Sequence, residues 1–155
     1  MIFLLLSITL AAKSQSKEAL HDFANFVSKR YRLPDELKYN CEWIYAVVKV
    51  KTNSGNKIVG YEFANEPPTV MKKSFNLLLG YRFPKTMKIN GRTIVFYLSI
   101  DNAEACKPKD GEKRFYAPND VVTALSGYLT NILQADPHAI IVPELIIQSF
   151  PPSQQ

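Results

Sequence analysis

A chain of 155 residues has the length of one domain, or of one domain with an extension. Hydrophobic residues make up 46% of it and charged residues 21%, which excludes wholesale disorder and leaves enough apolar material for a core. The formal charge of +5 is small and spread along the chain, so it is no nucleic-acid footprint.

Ile2 to Ala12 is almost wholly apolar and runs into Ala12-Lys13-Ser14, the h-region and small-x-small cleavage pattern of a secretory signal peptide. It falls short of the ~20 apolar residues that span a bilayer. Residues 1–14 are therefore predicted to be a signal peptide, although no basic residue precedes the apolar run. The product is expected to be exported, periplasmic or secreted, with no stable membrane anchor after cleavage.

Ser16 to Arg30 carries Leu20, Phe23, Phe26 and Val27 on one stripe, which predicts a first helix with Ser16 as its N-cap. Pro34 forces Leu33 towards extended backbone and ends it, and Asp35 to Tyr39 has room for one more turn. Trp43 to Lys51 alternates, with Ile44, Ala46, Val48 and Val50 on one face. The turn cluster Thr52 to Asn56 and a second run, Lys57 to Phe63, complete a hairpin. After Pro67-Pro68, Thr69 is placed to cap a second helix that reaches Leu79 and stops at Gly80.

Asn90-Gly91 marks a turn before a third strand, Thr93 to Ile100. There Ile94, Phe96, Leu98 and Ile100 alternate with Thr93, Val95, Tyr97 and Ser99, and one side is expected to press on a core. Asn102 to Ala117 reads as a loop. Pro118-Asn119-Asp120 opens a third helix with Val121, Val122, Leu125, Leu129, Ile132 and Leu133 on its apolar face, ended by Asp136-Pro137. Ala139 to Val142 and Leu145 to Phe150 are strand-like but split by Pro143, which predicts an edge strand or an extended surface segment. The fold class expected is α+β: a small antiparallel sheet in the order helix-strand-strand-helix-strand with helices on one face, plus a C-terminal helix and extended segment.

Chemistry-bearing residues are few. Cys41 and Cys106 are the only cysteines; in an oxidising compartment they are able to pair, or they stand as separate thiols, and their separation is not set by sequence. His21 and His138 are read as exposed and turn histidines, and no spacing among His and Cys makes a metal site. Asp35, Glu36, Asp101, Glu104 and Asp110 fall in Lys-rich loops, where solvated charge is the default. No phosphate-cradling loop, nucleophile elbow or His-Glu-x-x-His occurs, so neither an enzyme nor a cofactor is expected. The basic clusters Lys29-Arg30-Tyr31-Arg32, Lys72-Lys73 and Arg82 to Lys88 are read first as solvated faces. The weaker alternative for them is contact with anionic lipid or an acidic segment.

Tyr31 to Pro34, the hairpin around Asn53-Ser54-Gly55-Asn56-Lys57, the Tyr81-Arg82-Phe83-Pro84 step, Asn90-Gly91-Arg92 and the strand Thr93 to Ile100 follow one another in a familiar order. Together, from about Phe23 to Asp101, they resemble the C-terminal domain of TonB proteins, in particular its divergent Bacteroidota type. With the signal peptide at 1–14, the resemblance leaves a TonB C-terminal-like domain (15–101) and an extension (102–155). It implies a non-enzymatic binding module of the cell envelope that pairs with an extended segment of an envelope protein or outer-membrane receptor. The chain is read as carrying neither membrane anchor nor Pro-rich linker, so binding is implied and force transmission is not. The implied binding edge is the third strand, with Thr93, Val95, Tyr97 and Ser99, unless Ala139 to Phe150 covers it. The alternative is a secreted small hydrolase or small-ligand binder using a groove beside the sheet, to which Asp35, Asp101, His138 and Cys106 are the candidate contributors.

Overall fold

A computed structural model describes residues 2–38, 44–89, 91–101 and 118–149, with side chains described over 16–38, 44–89, 91–100 and 123–148. Cys41, Cys106, the Asn102 to Ala117 loop and the Asp101 side chain lie outside that set.

A single helix, α1, runs Ile2–Arg30. It begins at Ile2 rather than at the expected Ser16, because no Gly or Pro separates the apolar run from the amphipathic stretch that follows. Its stripe of Ala19, Leu20, Phe23, Ala24 and Val27 is buried. One short turn, α2 (Asp35–Lys38), follows Pro34.

Strands β1 (Ile44–Thr52) and β2 (Ile58–Phe63) form the expected hairpin. The Asn53 side chain closes its turn, Oδ1 accepting from the Gly55 and Lys57 amides. Asn56 takes the left-handed backbone that the turn needs (φ 58°), a conformation Asn tolerates better than most residues. The register shifts by one residue between Lys51 and Thr52, where Thr52 faces Ile58 and Lys51 faces Gly60, leaving Val59 as the bulged residue. Helix α3 (Thr69–Lys73) passes directly into a 3₁₀ turn, Ser74–Leu78. Pro68 rather than Thr69 occupies the N-cap position, and no side chain caps it. Gly80 then takes φ 94°, which a residue with a Cβ adopts only under strain.

Strand β3 (Thr93–Asp101) pairs antiparallel with β1 over its length, from Ile44 opposite Ile100 to Lys51 opposite Thr93. After α4 (Pro118–Ala135) the chain returns as β4 (Ile140–Ser149), which lies parallel to β3. The sheet order is β2-β1-β3-β4. The extended segment foreseen after Pro137 is thus a full fourth strand. Pro143 sits at the sheet's margin, where the register with β3 slips between Val95 and Tyr97.

Two cores flank this sheet. On one face, α1, α3 and the 3₁₀ turn cover Ile44, Ala46, Val48, Val50, Ile58, Ile94, Phe96, Leu98, Ile100, Val142 and Ile146. Phe23 is its hub, with ring centroids 5.0–5.3 Å from Tyr81, Phe83 and Phe96. On the other face α4 lays Leu125, Tyr128, Leu129 and Ile132 over Val47, Val95 and Tyr97. Leu133, expected on the apolar face of that helix, turns towards solvent at 40% exposure. The architecture is α+β as expected, with the helices of the first unit on one face. The C-terminal helix takes the opposite face, so β3 is covered on both sides instead of one.

Candidate functional site

Strand β3 is the interior strand beside β1, and its second margin is taken by β4, with Tyr97 opposite Leu145 and Ser99 opposite Ile147. The expected binding edge at Thr93, Val95, Tyr97 and Ser99 is therefore not an open edge. Val95, Tyr97 and Ser99 are buried beneath α4 or beside it, and Thr93 is half-buried. The physical reason is that Ile140 to Ser149, within the segment named as possible cover, pairs along that margin. The second face of the strand, with Val95 and Tyr97, is covered separately by α4.

The sheet's two margins differ. Along β4 the row is broken by Pro143, which has no amide to donate, and by the register slip beside it. Helix α1 also ties this strand down. Glu144 lies 3.4 Å from His21, and Gln148 donates to the carbonyl of Ser28 at 3.1 Å. Along β2 the sequence Ile58-Val59-Gly60-Tyr61-Glu62-Phe63 contains no proline. Among the described residues, only its first ones have a neighbour on the outer side. There Ile58 donates to Tyr81 and accepts from Gly80, and Phe83 donates to Asn56. Beyond that ladder no named strand pairs with the outer side of β2 among the described residues. Val59 is 57% exposed, and a Cβ on Gly60 would meet nothing within 4 Å.

Past Phe63 the chain still tracks β1. Ala64 donates to the Val47 carbonyl, and the Asn65 side chain accepts from the Val47 amide while donating to the Tyr45 carbonyl. On the α4 side of the hairpin Glu62 bridges two strand lysines, Lys49 at 2.7 Å and Lys51 at 3.6 Å. The hydrogen bond from Lys49 is the main reason the Glu62 carboxyl lies below its ordinary range.

Between this charged pair and α4 lies a groove of about 530 Å³, bordered by Lys49, Glu62, Thr93, Tyr128, Asn131 and Asp136. Behind it Tyr45 stacks obliquely near Tyr97 and Tyr128, with centroids 5.9 and 6.4 Å away. Burial, and then the Tyr128 phenol beside it, push the Tyr45 hydroxyl up to about 12. The groove does not gather the residues named from sequence. Asp35 borders a separate hollow with Tyr31, Arg32 and Gln148. His138 is exposed and engages Arg92 through its backbone carbonyl. Among the described residues no three His, Cys, Asp or Glu side chains cluster as metal ligands, and no helix is long and apolar enough to cross a membrane.

The open margin at β2 went unseen in the sequence, and the groove expected between the sheet and the C-terminal extension is lined by other residues than those named for it. Both follow from the strand–helix–strand pattern from β3 to β4, which signals a parallel crossover with its helix on one sheet face. No family model matches the chain, and no curated protein or solved structure matches it.

Proposed function

We propose that this protein is a non-enzymatic interaction module of an exported protein, which takes up an extended segment of a cell-envelope partner by strand addition along the outer margin of β2. The observation that carries the reading is the asymmetry of the sheet. The β4 margin is broken by Pro143 and tied to α1, whereas β2 past Ile58 is proline-free and, among the described residues, has no strand on its outer side. Main-chain hydrogen bonds along such a margin supply affinity, and alternate side chains meet Val59 and the ground beside it. The TonB C-terminal resemblance supports the same mode of binding, moved from the third strand to the second. A photo-crosslinking residue at position 59, challenged with extended receptor-box peptides, is expected to label them, and peptide is expected to slow amide exchange over Val59–Phe63. Protection confined to β3 or β4 overturns the reading.

A second reading takes the groove under α4 as a small-ligand site, favoured by Lys49, Asn131 and Asp136 converging on a single concavity. Its test is a thermal-shift screen of small polar ligands on the native protein and on Asn131→Leu. A ligand that stabilises the first and not the second supports it.

A further inference from the structure

The basic run Arg82 to Lys88, which the strand-addition reading leaves unused, folds back against the hairpin turn. Asn56 pins the two together: its side-chain amide donates to the carbonyls of Pro84 (2.9 Å) and Met87 (2.8 Å), and its own carbonyl accepts from the Phe83 amide (3.0 Å). Between the walls so fixed lies a hollow of about 470 Å³, lined by Ser54, Gly55, Asn56, Lys85, Met87 and Lys88. One further cation stands at its rim: a Cβ on Gly55 would lie 3.6 Å from Arg82 Nη1. The Arg82 backbone forms an isolated antiparallel bridge with Lys57, whose own side chain runs past Gly80.

All three cations are exposed. The lining holds no carboxylate, and among the described residues no ion pair joins Arg82, Lys85 or Lys88 to one. Lys38, Lys49, Lys51 and Lys72 each have an acidic partner, whereas Lys17, Lys29 and Lys73 on the helices, among the described residues, have none but line no such concavity. A braced concavity that concentrates positive potential, with a hydroxyl and a guanidinium at hand, fits a compact dianion with several acceptor oxygens.

We infer that this hollow binds a phosphate monoester group, with Lys85 and Lys88 supplying charge from one wall, Arg82 from the rim, and Ser54 a neutral donor. The hollow is larger than phosphate alone, so the group arrives on a small molecule or on a lipid headgroup.

The test is a heteronuclear NMR titration of the full chain with glycerol 3-phosphate and inorganic phosphate at constant ionic strength, with chloride as control. A parallel arm measures flotation with phosphatidic acid and phosphatidylcholine vesicles. Saturable amide shifts at residues 53–57 and 85–88, absent with chloride and weakened about tenfold or more in Lys85→Glu/Lys88→Glu, support the site and assign it to soluble monoesters. Flotation with phosphatidic acid only, lost in the same variant, supports it with a lipid source. Shifts that chloride reproduces, retention of binding by the variant, or no response in either arm overturn it. Because both lysines are exposed, the variant is expected to melt as the native chain does, and a melting curve confirms that it is folded.

Discussion

The side-chain amide of Asn56 donates to the backbone carbonyl of Met87 across 2.8 Å, joining positions 31 residues apart in the chain. A residue in left-handed backbone thereby supplies one buried and one part-buried hydrogen bond that hold the basic loop against the hairpin. Asn56→Ala removes both bonds and adds a strained backbone, so a loss of about 2–3 kcal/mol is expected. Asn56→Gly relieves the strain alone and is expected to fall between the two. Chemical denaturation of the three proteins checks the order, and equal loss in Gly and Ala variants would show the backbone to be irrelevant.

Phe23 is fully buried and meets three aromatic rings at 5.0–5.3 Å. Phe23→Ala is expected to cost about 3–5 kcal/mol, a large share of the stability of a small domain. Phe23→Leu keeps most of the volume and is expected to cost about half as much. Urea midpoints at constant slope provide the measurement.

Glu62, held below its ordinary range by Lys49, has a pH signature. A carboxyl whose folded value is depressed adds stability that is present above its free value of 4.5 and lost as pH falls through the folded value. The pair is half in solvent, so the contribution is less than about 1 kcal/mol. Glu62→Gln is expected to be slightly less stable than the native chain at neutral pH, with the gap closing on acidification. A gap independent of pH would contradict the ion pair as its source.

Tyr45 shifts in the opposite sense. Its phenol, pushed up to about 12 by burial and by Tyr128, keeps its proton in the fold and would release it near 10 in the open chain. The associated stability is fully present below pH 10 and is lost between about 10 and 12. Tyr45→Phe is expected to make the alkaline fall in stability shallower. Ultraviolet titration of the phenols is expected to show fewer ionising before unfolding than the chain contains.

Amide exchange separates the interior strand from the marginal ones. Ile94 to Ile100 are expected to be among the slowest amides in the protein, since β3 has β1 on one side and β4 on the other. In β4 the residues around Pro143 are expected to open sooner, where the register slips. Rapid exchange throughout β3 would mean that β4 does not stay in place.

What was legible in the sequence was local. Alternation at Ile44 to Val50 and Ile94 to Ile100 marked strands because a pleated strand turns every second side chain the same way. Asn53 to Asn56 marked the turn through its own hydrogen-bonding chemistry, and Asp136-Pro137 the end of a helix. The neighbour of β3 was less legible. Pro143 argued correctly for a marginal strand, but alternation does not say which strand a margin belongs to. Once Ile140 to Ser149 lies against β3, the open margin moves to β2. The candidate surface moved with it, since a surface made of backbone depends on strand order, which short-range pattern does not encode. The basic run at Arg82 to Lys88 was visible as composition, whereas its folding onto the Asn56 turn is a long-range fact.

The parallel placement of β4 also sets an order of events as the chain emerges N-terminus first. Strands β1, β2 and β3 emerge together and can form their antiparallel pairs at once, yet the strand that completes β3 is made only after α4. Until then the nascent chain presents a long apolar strand, Ile94 to Ile100, hydrogen-bonded along one side. A chain halted or clipped before Ile140 would keep that strand bare indefinitely, a ready template for pairing with its own copies. Strand β4 therefore withholds the β3 margin, though not the β2 margin, from pairing with other copies.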